Sequence, residues 1–393
     1  MSRWKYKNDD ADECASVGKI RRGKKHRKKL QNQESFELDE SEWRVFGDDF
    51  TARVVEVQKR YVFVSPEEKS GEIKTCDVWL ATVPRKFLTM TKKERNLVCV
   101  GDRVLCRPAT DRDQPANTDL PSAVIKHRSV RKAKIARCDP LRPELEHVLA
   151  SNVDQLVVVV SYLKPTVKFG LIDRYLLLAE EQGLAVTIVF NKQDLLNLGK
   201  PGFKNKCNEM LDLYKSLGYE VITVSAHDGF ASDECQRLAS QLAGKISILS
   251  GHSGVGKSSL VNLFDPEIVQ EVEENDDIFY KGRHTTTYAS FIKLKAIGGY
   301  VIDTPGIRSF LLGERGSIAL SAGFREFAPE LGQCKYRECR HIDEPGCRIL
   351  MLLAEGNIHP SRYQSYKGLL LGDSGREGRS GLVETDEQIE GSE

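Results

Sequence analysis

Long apolar runs are missing from this sequence of 393 residues. No stretch reaches the roughly eighteen consecutive apolar residues that suggest a spanning helix, so no membrane association is expected. The stretch Met1–Lys29 has no apolar h-region and does not read as a secretory signal. A disulfide framework is missing too. Ten cysteines are scattered along the chain, and three of them cluster. In a chain this long without a signal, that usage implies reduced thiols, one metal site and a cytoplasmic setting. Net charge is nearly absent, at +1. What remains is 40% hydrophobic and 29% charged residues, an ordinary soluble composition with enough apolar residue for a real core. The length suggests two or three domains.

The small net charge hides an asymmetry. From Lys19 to Lys29 every charged residue is basic, whereas Gly372–Glu393 is Gly/Ser-rich and mostly acidic. Both ends lack apolar periodicity and are expected to be disordered. The basic run fits a solvated tail or a polyanion-binding arm that gains counterion-release energy on RNA. Between about Phe46 and Ile125, β-rich runs recur at Ala52–Val57, Tyr61–Val64, Cys76–Leu80 and Arg103–Cys106. Short strands separated by turn residues predict a small barrel. The basic segment Lys126–Arg137 is expected to link it to the next domain.

From Val153 the pattern changes. Leu156–Val160, Ala185–Phe190, Glu220–Val224 and Ile246–Leu249 are continuous apolar runs of the kind buried on both faces of a parallel sheet. Helix candidates alternate with them, Ile172–Gln182 first, and predict a doubly wound α/β domain ending near Leu312. A small Cys/His-rich segment follows, then a helical stretch around Ile349–Leu371.

Gly251-His252-Ser253-Gly254-Val255-Gly256-Lys257-Ser258 fits G-x-x-x-x-G-K-[ST]. It follows the run Ile246–Leu249 and precedes a helix candidate, Ser259–Phe264, which is the context a phosphate-binding loop requires. The glycines let backbone N–H groups converge on phosphate oxygens, and the helix N-terminus adds partial positive charge. Lys257 is placed to reach the β- and γ-phosphates and Ser258 to ligate Mg²⁺. Asp303-Thr304-Pro305-Gly306 follows the run Tyr300–Ile302. An acidic residue at that strand end suits the magnesium site, and Gly306 lets its N–H approach the γ-phosphate.

The base reads as guanine. Asn191-Lys192-Gln193-Asp194, directly after a strand, has the N-K-x-D pattern. A carboxylate at Asp194 accepts from guanine N1–H and N2–H together; facing adenine it would go unpaired, at a cost of about 1–3 kcal/mol. Lys192 is expected along the base and loop. Ser225-Ala226, after the next strand, supplies a backbone N–H for guanine O6. The order is unusual, because N-K-x-D and S-A precede the phosphate loop and D-x-P-G comes last. The same sheet forms this way if old termini were joined and a surface loop opened, a circular permutation.

Cys334-x4-Cys339-x-His341-x5-Cys347 supplies three thiolates and one imidazole. Cys₃His is a closed tetrahedral set suited to structural zinc. Pro345-Gly346 gives the turn that returns Cys347 to the others.

With these motifs in place, the chain resembles the RsgA (YjeQ) family of ribosome small-subunit-dependent GTPases over roughly Thr51–Leu371. The resemblance rests on NVDQ at Asn152–Gln155, IDRYL at Ile172–Leu176, NKQD, GHSGVGKSS through Ser259, GRHTTT at Gly282–Thr287, DTPG and the Cys/His pattern. It implies a multidomain chain with an OB-like β-barrel over 46–130, a circularly permuted α/β P-loop GTPase domain over 131–312 and a zinc-binding helical domain over 313–371; the basic disordered arm over 1–45 departs from the family pattern, and a disordered acidic tail over 372–393 follows. It implies a GTP hydrolase that assists late maturation of the small ribosomal subunit, binds its rRNA, and works as a monomer. GRHTTT is assigned to switch I, with Thr286 as the Mg²⁺ ligand and Thr285 and Thr287 as alternative registers. Ras-like enzymes carry a water-orienting glutamine where this chain has Ile307, which cannot hydrogen-bond water. His284 is the nearest candidate for that catalytic role; the alternative is a positional one. The competing reading of the whole chain is an rRNA-docking module in which GTP only locks conformation.

Overall fold

The computed structural model describes residues 36–58, 61–68, 70–84, 87, 94, 96–110, 120–139, 142–265, 289–303 and 317–372. Lys19–Lys29, His284, Thr285, Thr286, Thr287, Gly306, Ile307 and the acidic tail after Gly372 lie outside them.

The chain is described first as a short strand, β1 (Glu37–Leu38), laid parallel to a later barrel strand. Five strands then close a ring: β2 (Phe50–Val57), β3 (Val62–Pro66), β4 (Trp79–Thr82), β5 (Arg103–Pro108) and β6 (Ser122–Ser129). β2 pairs antiparallel with β3 and β5, β3 with β4 and β5 with β6, and β4 closes the ring by running parallel to β6. Ala52, Val54, Val64, Val104 and Ile125 fill the interior. Phe36–Val45, read from the sequence as part of an arm, sits against this barrel. Phe36 is buried in its core with its ring tilted against that of Phe87, and Glu37 pairs with Arg128.

The basic segment Lys126–Arg137 is not a linker. Its first residues complete β6 and its last begin β7 (Lys134–Asp139), which forms a hairpin with β8 (Arg142–Ser151). Charge disguised the strand. Arg128 is 1% exposed, its guanidinium taken up by Glu37 and by Glu94 at 3.3 Å. Lys126 lies 2.5 Å from Asp49. Pairing with carboxylates is what lets such residues occupy a barrel wall.

The α/β domain follows as β9 (Gln155–Ser161), α1 (Phe169–Gln182), β10 (Ala185–Asn191), α2 (Phe203–Ser216), β11 (Glu220–Thr223), α3 (Asp233–Leu242), β12 (Ile246–Ser250), α4 (Lys257–Phe264), β13 (Ser290–Leu294) and β14 (Gly299–Asp303). Across the sheet the order is β13-β14-β12-β9-β10-β11, parallel apart from β13. The apolar runs lie where a doubly wound sheet requires them, with all seven residues of β9 buried between two core clusters. The chain winds outward from β9 to β11, then returns to lay β12 on the other side of β9. The crevice at the carboxyl ends of β9 and β12 is therefore the topological switch point, where ligands bind in such sheets.

Barrel and sheet share one core. Val55, Phe63, Ile73, Leu80 and Val100 belong to the same cluster as Phe291, Tyr300 and Ile302. Glu56 of β2 pairs with Ser290 of β13, so the sheet runs on into the barrel.

The last module contains α5 (Ser317–Ala322), α6 (Arg348–Ala354) and α7 (Pro360–Leu370). The helical stretch expected around Ile349–Leu371 is broken between α6 and α7, where Gly356 takes a φ of 79° and Pro360 opens the second helix. Phe324, Phe327, Ile349, Leu352 and Tyr366 form its core, together with Leu177 of α1. Arg362 of α7 enters the α/β domain, 2.6 Å from Asp173 of α1, while two further bonds hold it to Glu326. No helix among the described residues is long and apolar enough to cross a membrane.

Candidate functional site

The phosphate-loop sequence turns from the end of β12 into α4 beneath the crevice. Two glycines are fixed there by close approach. Gly251 has φ 150°, and a Cβ on it would sit 2.0 Å from the Val159 carbonyl oxygen of β9. Gly256 has φ 94°, and its Cβ would sit 2.2 Å from the Asn191 side-chain nitrogen. Neither position admits a side chain. Lys257 at the first turn of α4 folds back over the loop and donates to the Gly251 and His252 carbonyls at 2.9 Å each. His252, Ser253, Gly254, Ser258 and Ser259 are exposed, while Val255 is buried and anchors the loop in the core.

Asn191 closes β10 and is 1% exposed. Its amide nitrogen donates to the Val255 carbonyl at 2.9 Å, and its Oδ1 accepts the Ala226 N–H at 3.3 Å. One side chain thus ties the N-K-x-D turn, the S-A turn and the phosphate loop into a unit. Lys192 takes a left-handed φ of 59°, rare for a residue with a Cβ. That turn aims its ammonium at the Gly254 carbonyl, 2.6 Å away, and at the Lys164 carbonyl. Asp194 is exposed, and its Oδ1 accepts the Ser225 hydroxyl at 3.0 Å. Ser225 itself is 2% exposed. The sequence assigned Ser225-Ala226 a backbone role; the hydroxyl clamp on Asp194 was not visible there, because a residue 31 positions away gives no local signal. Asp303 ends β14 beside β12.

The second constellation is separate. The ligand atoms of Cys334, Cys339, His341 and Cys347 all lie within 4.8 Å of one another. Cys334 and Cys347 sulfurs are 4.0 Å apart, and His341 Nδ1 is 3.6 Å from the first and 3.4 Å from the second. A tetrahedron with zinc–sulfur bonds has edges of about 3.8 Å between sulfurs and about 3.5 Å from sulfur to nitrogen. The four donors therefore fit a metal ion of that size and preference. Burial pushes the His341 imidazole down, with Glu344 opposing, which favours the neutral form a ligand needs.

Side chains the sequence did not single out support this cluster. Burial raises the Glu344 carboxyl, but backbone N–H groups outweigh it and hold the group at about 2. Two of its donors, Arg340 and Ile342, flank His341 at 2.7 and 2.9 Å. The hydroxyls of Tyr363 and Tyr366 donate to the carbonyls of His341 and Arg340 at 2.9 and 2.8 Å. Such outer partners orient metal ligands.

Known proteins match this arrangement. The family model described as RsgA GTPase matches residues 129–313. The small ribosomal subunit biogenesis GTPase RsgA of Mannheimia succiniciproducens is 35% identical over 333 residues, 84% of this chain and 86% of that protein. The protein of the same name from Ectopseudomonas mendocina is 39% identical over 270 residues, 69% of this chain and 73% of that one. Among solved structures, YjeQ from Thermotoga maritima is 31% identical, covers 84% of this chain and 99% of its own, and superposes with a TM-score of 0.62. YloQ, described as a circularly permuted GTPase, shares the fold at a TM-score of 0.60 and 23% identity, over 86% of this chain and all of its own. At these identities and over these shares of the chain, the chain belongs to the RsgA GTPase family.

Proposed function

We propose that this chain binds GTP with Mg²⁺ at the β9–β12 crevice and uses its hydrolysis to assist late maturation of the small ribosomal subunit. The observation that carries this reading is the Asn191 bridge. By joining Val255 to Ala226 it fixes the base-side turns at one distance from the phosphate loop, as a nucleoside triphosphate requires and a free phosphate does not.

The roles divide along that bridge. Asp194, held by Ser225, accepts from the guanine edge, with the Ala226 N–H near O6. Lys192 braces the loop from beneath the base. The N–H groups of Gly251–Ser259 surround the phosphates, and Lys257 leaves its own carbonyls for the β- and γ-oxygens. Ser258 and Thr286 ligate Mg²⁺, with Asp303 behind them through water. Gly306 senses the γ-phosphate, and His284 orients the attacking water that no glutamine at position 307 can hold. Zinc occupies Cys334, Cys339, His341 and Cys347 and is structural, since all four positions are protein ligands. The Phe36–Val45 strap and the barrel, the GTPase sheet that shares the barrel's core and the zinc module work together in a cytoplasmic monomer. Basic residues outside the GTPase unit, Lys19–Lys29 among them, contact rRNA phosphates.

The relatives are named for small ribosomal subunit biogenesis, and the same partner is proposed here. GTP turnover is measured against the concentration of purified small subunits at two salt levels, with GDP and a non-hydrolysable GTP analogue used to measure docking. Stimulation that weakens as salt rises, with tighter docking in the GTP state, is expected. Equal docking in both states with no stimulation at low salt overturns the reading and leaves an RNA-docking module.

A further inference from the structure

Lys293 of β13 and Tyr300 of β14 are directly paired across the two strands. They reach consecutive residues of one barrel loop, the segment between β3 and β4. The Tyr300 hydroxyl accepts the Ile73 backbone N–H at 3.1 Å, in a buried setting. The Lys293 ammonium lies 2.9 Å from the Glu72 carboxylate. Phe291 packs its ring 5.2 Å from that of Tyr300 and completes the contact.

The barrel side of this contact is stiff. The Ser65 hydroxyl donates to the Lys74 carbonyl at 2.6 Å, and Glu67 pairs with Ile73 across the loop. Glu67 is held in turn by Arg53 at 2.9 Å and Arg103 at 2.8 Å, on β2 and β5. The Ile73 side chain is 1% exposed in the core that also contains Ile302. These bonds tie the Ile73 end of the loop to the barrel wall.

The other side leads to the nucleotide. β14 ends at Asp303, three residues beyond Tyr300, at the carboxyl edge of the sheet. Apolar packing alone would join barrel and sheet. A buried hydroxyl adds a directional requirement, because the Ile73 N–H meets its acceptor at one height of β14 and would be left unsatisfied at another.

We propose that Tyr300, backed by Lys293, is a positioning residue that couples the state of the nucleotide to the barrel. The γ-phosphate biases the height of β14, and the Tyr300–Ile73 bond transmits that height to the β3–β4 loop. By linkage, whatever RNA surface engages the barrel biases the nucleotide state in return. This rests on the reading of the β9–β12 crevice as the GTP site.

The test needs no ribosomal subunit. Hydrogen exchange of the segment 67–78 is followed in the full chain with GDP and with a non-hydrolysable GTP analogue, nucleotide affinity being measured on the same samples. The wild-type chain is expected to show exchange in this segment that differs about fivefold between the two states, the size of one net hydrogen bond. Tyr300→Phe is expected to bind both nucleotides as the wild type does and to lose that difference. Lys293→Gln, which touches the exposed pair and leaves the core intact, is expected to reduce it, and stands in should Tyr300→Phe fold poorly. Equal exchange in both states in a nucleotide-bound wild-type chain overturns the coupling, as does a difference that survives in both variants. A wild-type chain that binds neither nucleotide overturns the site reading itself, and the coupling with it.

Discussion

The two modules that flank the GTPase sheet are attached by different chemistry. The barrel joins at β13 and β14, through a continuous apolar core, one strand pairing and the Tyr300–Ile73 and Lys293–Glu72 contacts. The zinc-cluster module joins against α1 and α2, through a buried charge network beside the apolar contact of Leu177. Asp173 of α1 accepts from Arg362 at 2.6 Å, from Tyr214 of α2 at 2.9 Å and from Ser365, while Arg362 keeps two bonds to Glu326. Arg325 adds a second anchor, 3.9 Å over the Tyr219 ring and 2.6 Å from Glu180. The apolar part of the seam is non-directional and takes its direction from the single Tyr300–Ile73 bond, whereas the charge network is directional throughout. One attachment suits a module that moves with the sheet; the other suits one fixed to it.

The largest effect expected comes from the metal cluster. Chelation, or Cys339→Ser, is predicted to unfold the region after about residue 333 while leaving the barrel and sheet folded. Metal binding in so small a module is its folding energy, about 10–16 kcal/mol in comparable peptides. Limited proteolysis with and without chelator checks this, and simultaneous loss of the barrel would erase the proposed independence of the two modules.

Next is Asp173→Ala. It leaves the Arg362 guanidinium, 1% exposed, without its closest partner on the sheet side. Breaking a buried pair costs about 3–5 kcal/mol. Denaturant melts should show this loss, and exchange should rise on α7 before it rises on the barrel. A loss under about 1 kcal/mol would show that the apolar contact of Leu177 with the module carries the attachment instead.

Acid probes a buried charged knot of the barrel. Burial raises the Asp102 carboxyl, but Arg131, bonded at 2.7 and 2.8 Å, outweighs it and holds the group below its ordinary value. A depressed carboxylate contributes stability that is present above its unfolded pKa, about 3.9, and is lost as pH falls through the folded value. Stability of the wild-type chain should therefore decline below about pH 4 more steeply than that of Asp102→Asn. Parallel pH profiles would remove Asp102 from the account.

The smallest change tests the seam. Ile73→Val trims one buried methylene between barrel and sheet and should cost about 0.5–1.5 kcal/mol. A cost as large as that of Asp173→Ala would mean that the seam is as geometry-specific as the charge network.

Much of this was readable in advance, for identifiable reasons. The buried strands of the GTPase sheet announce themselves as uninterrupted apolar runs, and β9, β10, β11 and β12 fall within a residue or two of those runs. The phosphate loop and the Cys/His spacing are local patterns, and the structure gathers each of them in one place. Strand β6 was misread because Lys126 and Arg128 look solvated until Asp49 and Glu94 are brought to them from distant parts of the chain. The strap Phe36–Val45 was misread for the same reason, since its acidic residues find their basic partners on the barrel wall.

The sequence by itself determined the chemistry of each site and the permuted order of the motifs, because a loop that must cradle phosphate or a cluster that must hold a metal is specified over a dozen or so adjacent residues. The tertiary structure alone decided what those sites are attached to. Asn191 bridging two turns, Ser225 holding Asp194, Asp173 receiving Arg362 and Tyr300 receiving Ile73 join residues 31 to 227 positions apart. Such pairs leave no periodicity and no local motif. They exist because a buried polar group must find a partner, and the fold determines which one comes within reach.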